Sequence, residues 1–469
     1  MAQSHMDRLS STDASFLTQE TSASHMHVGA IAIFEGPPPS YDELLSHLGS
    51  RLPLIPRFRQ KLAFSPIQTG RPFWVDDPSF DLGYHVRHSA LPAPGSRGQL
   101  RQMVARVFSQ PLDRTKPLWE LWLVQGMKRK RFAIVSKTHH ALVDGVAGVD
   151  IATVLFDSEP APEPVMPTAE WFPEPEPSDA DLLARNAADM AAIPIRLARR
   201  FESALEHPRA TAAQVAEAAE ALGEIAWNLA NPAPEVPLNV PIGSHRRFAW
   251  ARAELDDLDV IKNRFGGTVN DVVLSVVAGA LRSWLTQRGV RTDGLTLRGL
   301  VPVSIRAAQE QGELGNKLVA LRGPLPVYID DPVKRLEAVK AEMGEVKDSK
   351  QALGAEVITR LSDFAPPTLL ALASRLNFST RLFNLIVTNL PGPQTPFYVL
   401  GRELEEVFPV AFLPQNHALA IAVISYNGGI DFGLIADYDA MADVGVIADG
   451  IENAITELHR AADTDPCAP

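Results

Sequence analysis

Two adjacent histidines, His139 and His140, are followed by Asp144 and Gly145 in the heptapeptide HHALVDG. These residue types suit proton transfer, because an imidazole that is neutral near pH 7 can accept a proton and return it within one turnover. Residues 132–138, just before them, are rich in β-branched and aromatic side chains and predict a strand. If the backbone stays extended to residue 140, the two rings point to opposite faces, and only one of them faces a given cleft.

Two other interpretations of this heptapeptide stay open on residue types alone. The histidines could end a structural strand, with Asp144-Gly145 as an ordinary turn. They could instead bind a metal together with the aspartate, since imidazole and carboxylate are common zinc ligands. The sequence contains no Gly-x-Ser-x-Gly elbow, glycine-rich phosphate loop or Cys-x-x-Cys pair. Proton transfer by a general base is therefore the best use of the histidine motif on residue types alone.

A second candidate for chemistry lies at Asn270-Asp271, where a long apolar segment begins. Thr268 and Asp271 have the spacing of a capping box, and the apolar residues that follow predict a buried helix. A helix N-terminus carries about half a positive charge and unpaired amide protons, so Asn270 could help to hold an oxyanion there. Asp271 could equally do no more than cap the helix.

Several ordered motifs together resemble the wax ester synthase/diacylglycerol acyltransferase family. This family belongs to the coenzyme-A-dependent, chloramphenicol-acetyltransferase-like superfamily that shares HxxxDG, and HHALVDG matches its active-site signature. The other matching segments are 9–17 (LSSTDASFL), 25–29 (HMHVG), Pro117-Leu118-Trp119, Asn270-Asp271, 301–306 (VPVSIR), 388–393 (TNLPGP) and 424–428 (ISYNG). The likeness covers nearly the whole chain. Thr388 stands where the family is expected to have serine, but the hydroxyl is retained.

The resemblance implies an α/β fold of the α+β type. Two chloramphenicol-acetyltransferase-like domains, with mixed sheets flanked by helices, would enclose an active-site channel at their interface. The implied reaction moves a long-chain acyl group from acyl-coenzyme A to diacylglycerol, to a long-chain alcohol, or to both. Acyl-coenzyme A is then a substrate, and neither a cofactor nor a metal is expected. Residue types do not rank the two products, since one methylene in an apolar tunnel is worth only about 1 to 3 kcal/mol.

The same resemblance assigns roles to individual residues. His140 would be the general base, and the other catalytic residues would be His139, Asp144, Gly145 and Asn270. Asp144 would shape the loop, with Arg306 as its expected partner. Substrate contacts are expected from Pro117, Leu118, Trp119, Asp271, Asn389, Pro391 and Gly392. The alternative for Trp119 is a plain core tryptophan, and the alternative for the turn 389–393 is a structural loop.

Length, net charge and cysteine content limit the classes of protein to which this sequence can belong. The length of 469 residues predicts two domains, and the net charge of −12 argues against nucleic acid as a partner, because phosphate neutralisation needs a basic face. The single cysteine, Cys467, excludes a disulfide within the chain and suits a reducing cytoplasm. The sequence shows neither a signal peptide nor an apolar stretch suited to spanning a bilayer, so contact with a membrane or lipid droplet is expected to be peripheral.

Composition also divides the chain into three parts. Acyltransferase domains are expected at 1–156 and 246–469. The part between them, 157–245, begins with an acidic linker in which seven prolines fall between residues 160 and 177. Two Ala-rich helices are predicted after it, at 181–201 and 211–231. They either pack across the two domains or form a lid or lipid-facing surface.

Local patterns predict the elements that position the candidate residues. The basic residues 128–131 predict the tip of a hairpin that is either solvated or in contact with phosphate or anionic lipid. Further predicted elements are strands at 28–34, 118–124 and 132–138, helices that begin with capping boxes at Ser40 and Ser96, a helix from Pro332, a hairpin about 427–429 and a closing helix at 444–459.

Two rival functions are kept beside the main interpretation. The first is an acyltransferase of the same superfamily that uses a carrier-protein thioester and another hydrophobic alcohol, although the full set of motifs argues against it. The second is a lipid-binding protein without catalytic activity.

Overall fold

The computed structural model describes residues 6–66, 70–143, 155–162, 171–188, 191, 231–304, 318–348 and 379–464. Asp144, Gly145 and Arg306 therefore lie outside the described residues, and so does Cys467. Residues 179–188 are helical, while the rest of the two predicted Ala-rich helices is almost entirely outside the described part.

The strands follow the period-two patterns of the sequence. In chain order they are β1 (Asp7–Arg8), β2 (His27–Glu35), β3 (Gln60–Ala63), β4 (Phe73–Asp76), β5 (Val86–Ala90), β6 (Trp119–Met127), β7 (Arg131–His139), β8 (Arg246–Glu254), β9 (Leu297–Ser304), β10 (Leu318–Leu325), β11 (Leu385–Pro391), β12 (Tyr398–Val399), β13 (Arg402–Val410), β14 (Leu419–Tyr426) and β15 (Gly429–Asp437).

The first large sheet has six strands in the order β12-β13-β2-β7-β6-β5. The predicted strand pair is confirmed as β6 and β7, which are antiparallel, and β2 pairs with the other edge of β7. Lys128–Lys130 form the connecting 3₁₀ turn, and their side chains are exposed. The only parallel pair in this sheet, within the described residues, is β5 with β6.

The second large sheet also has six strands, in the order β10-β9-β11-β14-β15-β8. It is mixed, because β11 runs parallel to both β9 and β14 while the other pairs are antiparallel. The predicted hairpin is confirmed as β14 and β15. A small third sheet, β1-β4-β3, lies in the N-terminal part.

Several helices among the described residues begin where a side chain accepts a hydrogen bond from a first-turn amide. They are α1 (Ser11–Gln19), α2 (Tyr41–Arg51), α3 (Leu82–His85), α4 (Arg97–Ser109), α5 (His140–Val143), α6 (Leu255–Phe265), α7 (Val269–Gln287), α8 (Pro332–Asp348) and α9 (Val444–Thr464). The capping boxes predicted at Ser40, Ser96 and Thr268 are confirmed at the starts of α2, α4 and α7. The helices predicted from residues 332 and 444 are confirmed as α8 and α9.

Strand β13 connects the two predicted acyltransferase domains, 1–156 and 246–469, through its pairing. It lies in the C-terminal part of the chain but pairs antiparallel with β2, with Phe408 opposite Ile31. It also contacts the second sheet: Val407 N donates to Asp431 Oδ2 at 3.2 Å, and the Phe408 ring stacks on Trp250 at 4.5 Å. The first sheet is thus built from both halves of the chain.

The close approach of β13 to β15 requires a glycine. A Cβ atom at Gly433 would lie 1.8 Å from the carbonyl oxygen of Pro409, well inside any real contact distance. The shared core around this point draws side chains from both large sheets, including Ile31, Phe248 and Ile386. The two halves therefore meet in an apolar interface.

Within the described residues, no helix combines the length and the apolar character that crossing a bilayer would require.

Candidate active site

The two histidines of HHALVDG lie at the junction of β7 and α5. His139 is the last residue of the strand, and its amide donates to Leu118 O at 3.0 Å. His140 is the first residue of the helix, and its amide donates to Met26 O at 2.9 Å. The extended backbone therefore ends one residue before His140, so the strand-face alternation considered for the pair does not set the direction of the second ring.

His139 is buried, with 1% of its surface exposed. Its Nδ1 accepts a hydrogen bond from the amide of Ala141 at 3.1 Å, so this nitrogen carries a lone pair. The other nitrogen, Nε2, lies 3.5 Å from Glu20 Oε2. The ring is thus fixed between the first turn of α5 and a carboxylate.

The carboxylate of Glu20 lies close to several charged and polar side chains next to the histidine pair. Arg114 binds its carboxylate through Nε at 2.7 Å and also through Nη2, and His27 Nε2 lies 3.8 Å away. Burial alone would raise the pKa of Glu20, but the hydrogen bond and charge of His139 and the guanidinium of Arg114 lower this pKa overall. Glu20 is therefore a carboxylate at neutral pH.

The ring of His140 lies between two phenylalanines and remains partly exposed. Phe16 of α1 stacks on it with centroids 4.0 Å apart, and Phe412, which follows β13, meets it edge-on at 5.4 Å. Burial, with a smaller contribution from the charge of His139, lowers the pKa of His140 to about 4. The imidazole is therefore neutral at pH 7, with a lone pair available.

We expect the folded protein to lose stability as the pH falls below about 6.5. Burial lowers the pKa of six histidines from the usual value of 6.5: His25, His27, His47, His85, His140 and His417. Below that pH the unfolded chain binds more protons than the folded one, and each histidine that stays neutral removes about 1.4 kcal/mol per pH unit.

Urea unfolding at pH 8, 7, 6 and 5 measures this loss. Equal unfolding free energies at pH 8 and pH 5 would contradict the prediction.

Pro117-Leu118-Trp119 lie beside the histidine pair, at the start of β6. Trp119 pairs with Thr138 of β7, and its indole nitrogen donates to Phe58 O at 2.8 Å. Its ring stacks on His85 with centroids 4.7 Å apart, and 3% of its surface is exposed. Trp119 is thus a core residue below the end of β7, and its contact with substrate stays a prediction.

A second group of predicted residues meets at the start of α7. Asn389 Nδ2 of β11 donates to Asn270 Oδ1 at 3.4 Å, which leaves the amide group of Asn270 able to donate, and both side chains are half-buried. Asp271 is buried, and its Oδ2 accepts from the amide and hydroxyl of Thr268 at 2.8 Å each. The Asp271 carboxylate is thus engaged in the cap, and its contact with substrate also stays a prediction.

The turn after β11 is held against the end of β14. Gly392 N donates to Ser425 Oγ at 3.2 Å, while Pro391 is exposed. On either side of Ser425, Ile424 and Tyr426 pack in the same apolar cluster as Leu118 and Ala141. The turn that carries Pro391 and Gly392 is therefore held at the end of β14.

We expect Gly392→Ala to destabilise the fold by about 1 to 3 kcal/mol, because the new Cβ would lie 2.1 Å from the carbonyl oxygen of Ser425 and the turn must shift. Urea unfolding measures the loss. Gly344→Ala, on helix α8, is the matched control. The new Cβ would meet no atom within 4 Å, so this variant should raise the free energy of unfolding by about 0.5 to 1 kcal/mol. A Gly392→Ala protein as stable as the wild type would contradict this account of the turn.

Three residues around the histidines were missed by the sequence analysis: Phe16, Glu20 and Phe412. Phe16 belongs to the N-terminal motif that carried the resemblance, but nothing in its spacing marks it as a neighbour of His140. Glu20, the residue after α1, reaches the site where α1 packs against α5, and Phe412 reaches it through the pairing of β13 with β2. In the described ranges, no three His, Cys, Asp or Glu side chains are grouped so that they could hold a metal ion.

Comparisons with known proteins agree over nearly the whole chain. A family model described as the wax ester synthase/diacylglycerol acyltransferase catalytic domain matches residues 9–273, and the model of the C-terminal domain of that family matches residues 314–459. A probable diacylglycerol O-acyltransferase from Mycobacterium tuberculosis is 33% identical over 463 residues, which cover 97% of this chain and 96% of the relative. A putative one from Mycobacterium bovis is 32% identical over 465 residues, covering 97% and 99%.

Solved structures show the same fold. The wax ester synthase/diacylglycerol acyltransferase from Marinobacter aquaeolei VT8 superposes with a TM-score of 0.67 at 28% identity, covering 97% of this chain and 100% of that one. The starter condensation domain of rhizomide synthetase superposes at 0.56 with 15% identity, covering 99% and 98%, and so supports the fold alone. The expected fold class is confirmed. The chain belongs to the wax ester synthase/diacylglycerol acyltransferase family and is an acyltransferase.

Proposed function

We propose that this acyltransferase moves a long-chain acyl group from acyl-coenzyme A to the hydroxyl of diacylglycerol, of a long-chain alcohol, or of both. The relatives named diacylglycerol O-acyltransferase support this substrate class. The observation that carries the proposal is the neutral, partly exposed imidazole of His140 at the end of β7, between aromatic rings from the two halves of the chain.

His140 is the general base of the proposed reaction. Its Nδ1 is buried, so Nε2 is the nitrogen that we assign to the acceptor hydroxyl. Nε2 takes the hydroxyl proton as the oxygen attacks the thioester carbonyl. The tetrahedral oxyanion then collapses, the carbon–sulfur bond breaks, and the imidazolium returns the proton to the departing thiolate. The acyl group passes directly to the acceptor, without an acyl-enzyme.

His139 acts on this base through the backbone. It accepts the amide hydrogen of Ala141, the residue after His140, and so fixes the first turn of α5. Glu20, 3.5 Å from Nε2, keeps the proton of His139 on that nitrogen. Both residues orient His140 without touching substrate.

Asn270 is the proposed oxyanion donor. Its carbonyl is engaged by Asn389, and its amide group lies at the positive end of α7. Asp144, Gly145 and Arg306 lie outside the described residues, and their expected roles stay predictions. Pro117, Leu118, Trp119, Asp271, Pro391 and Gly392 support the walls of the substrate channel, which lies where the two halves meet. No cofactor takes part, because acyl-coenzyme A is consumed as a substrate.

An acceptor panel tests the function. Purified protein is mixed with labelled oleoyl-coenzyme A and, in turn, dioleoylglycerol, hexadecanol, monooleoylglycerol or a sterol. Triacylglycerol or wax ester should form, and the ratio of the two products gives the acceptor preference. Oleoyl-acyl-carrier-protein replaces the coenzyme A donor in a parallel series, since preference for it would favour the carrier-protein alternative. Binding of lipid without any product would favour the lipid-binding alternative.

Exhaustive chelation tests the metal interpretation of HHALVDG. We expect dialysis against a chelator to leave the rate of acyl transfer unchanged, because the proposed proton transfers need only His140. Elemental analysis of the dialysed protein is the control for complete removal. A rate that falls on chelation and returns with added zinc would contradict the mechanism.

Diacylglycerol and long-chain alcohols reside in membranes and lipid droplets. We therefore also propose that the protein works from the cytoplasm and contacts such a surface peripherally. Flotation with vesicles that contain dioleoylglycerol measures this contact.

A further inference from the structure

A polar groove lies between α7, the start of α8, and α9, away from the histidines. Its volume is about 550 Å³. Apart from Gly279, Gly450 and Ala454, every side chain that lines it among the described residues is polar or charged. A site of this size accommodates a small molecule, and its lining favours a hydrophilic one.

Arg335 is the buried cation of this groove. Only 2% of its surface is exposed, and its Nε and Nη1 donate to the carbonyl oxygens of Ser275, Ile329 and Asp330 at 3.0 to 3.1 Å. For Nη2, no acceptor lies within hydrogen-bonding distance in the part of the chain that the structure describes. Nη2 therefore presents two N–H groups to the groove, where a ligand or water can accept them.

Gly279 makes room for this guanidinium. A Cβ atom at Gly279 would lie 2.6 Å from Arg335 Nη2, so a side chain there would displace the group from the groove. The Arg335 head is therefore placed by a glycine on α7 and by three carbonyl oxygens.

Arg282 presents a second guanidinium to the same space. Its Nε binds Asp330 at 2.9 Å and its Nη1 binds Thr292 Oγ1 at 2.8 Å, while its Nη2 also has no acceptor among the described residues. Arg460 lines the groove as well, together with Asp330 and Glu457. Three cations and two anions leave this groove net positive in a chain whose net charge is −12.

We infer that this groove binds the phosphate group of a small phosphorylated molecule. The planar guanidinium matches phosphate oxygens, and the Nη2 groups of Arg282 and Arg335 supply the unmatched donors. Gln287 and Asn453, which also line the groove, offer amide groups to the rest of the molecule. Arg282 and Asn270 are separated by twelve residues of α7, or about 18 Å, so this site is distinct from the proposed acyl-transfer site.

Two phosphate-bearing probes test the inference on the full chain by isothermal titration calorimetry. Pyrophosphate represents a small free phosphate compound, and adenosine 3′,5′-bisphosphate represents a free nucleotide. We expect saturable binding of at least one probe, weakened by added salt because the attraction is between charges. Binding of pyrophosphate alone assigns the site to small phosphates, and tighter binding of the bisphosphate assigns it to nucleotides.

Variants locate the binding. Arg282→Gln removes one donor pair, and Asn453→Trp blocks the groove from an exposed position on α9. Arg282→Gln should raise Kd by about 10- to 100-fold, the usual effect of losing hydrogen bonds to a charged group. Asn453→Trp should raise Kd at least as much, because its ring fills the space that the probe needs. Arg291→Gln, which removes the same charge from an exposed residue outside the groove, is the matched control and should leave Kd unchanged.

Measuring the KM for acyl-coenzyme A in the groove variants shows whether this site is distinct from the acyl-transfer site. Arg282→Gln and Asn453→Trp should leave it unchanged. No saturable binding of either probe, or the same Kd in the wild type and in both groove variants, would overturn the inference.

Discussion

We expect His140→Ala to lower kcat for oleoyl transfer to dioleoylglycerol by about 10²- to 10⁴-fold, the range that a positioned general base contributes. The ring is partly exposed beside Phe16 and Phe412, and its low pKa keeps it unprotonated at neutral pH. Without it, hydroxide from the solvent must take the proton of the acceptor hydroxyl. Steady-state kinetics with labelled oleoyl-coenzyme A measure the change.

His417→Gln is the matched control for this substitution. His417 is also buried with a lowered pKa, but its ring nitrogens lie 3.0 and 3.2 Å from the carbonyl oxygens of Gln415 and Phe383. Its replacement should reduce stability and leave kcat within a few-fold of the wild type. Circular dichroism checks that His140→Ala is folded. A folded His140→Ala protein that keeps most of its activity would show that another group is the base.

We expect Asn270→Ala to lower kcat by about 10²- to 10³-fold with little change in KM, because an oxyanion donor acts on charge that exists only in the transition state. The structure leaves the amide group of Asn270 able to donate, since Asn389 engages its carbonyl. Asn270→Asp has the same shape but offers only acceptors, so its loss should be at least as large. Initial rates at several donor concentrations separate kcat from KM.

Thr268→Ala distinguishes the contribution of the α7 cap to stability from the catalytic role of Asn270. This substitution removes the hydroxyl of the capping box, so it should cost about 1 kcal/mol of stability while kcat stays much closer to the wild-type value than in Asn270→Ala. Equal activity in Asn270→Ala and the wild type would remove Asn270 from the mechanism.

The elements that a short stretch of sequence can specify were predicted well. Strands β6 and β7, the hairpin of β14 and β15, and the three capping boxes each depend on residues close together in the chain. The fold class and the family followed from several motifs in order, and the comparisons confirmed both.

The surroundings of His140 were not predictable in the same way. Phe412 reaches the ring because β13 pairs with β2 across more than 370 residues of chain, and no local pattern marks that pairing. Glu20 was missed because a single carboxylate before a strand is an ordinary surface residue until Arg114 and His139 surround it. The direction of His140 also depends on where β7 ends, and β-propensity does not fix the last residue of a strand.

The division of the chain was predicted from composition, whereas the sheets follow long-range pairing. The proline-rich segment after residue 157 lies between the two predicted acyltransferase domains. Strand β13 then returns from the second half to the first sheet, so the site near His140 draws Phe16 from one half and Phe412 from the other.

The pH dependence of single-turnover acyl transfer tests the role of His140 most directly. In the wild type the imidazole is neutral throughout pH 5.5 to 8, since its pKa is about 4, so the rate constant should be independent of pH over this range. In His140→Ala, hydroxide must replace the base, so the rate should be lower and should rise with pH. Parallel profiles for the two proteins would contradict the assignment of His140 as the group that deprotonates the acceptor.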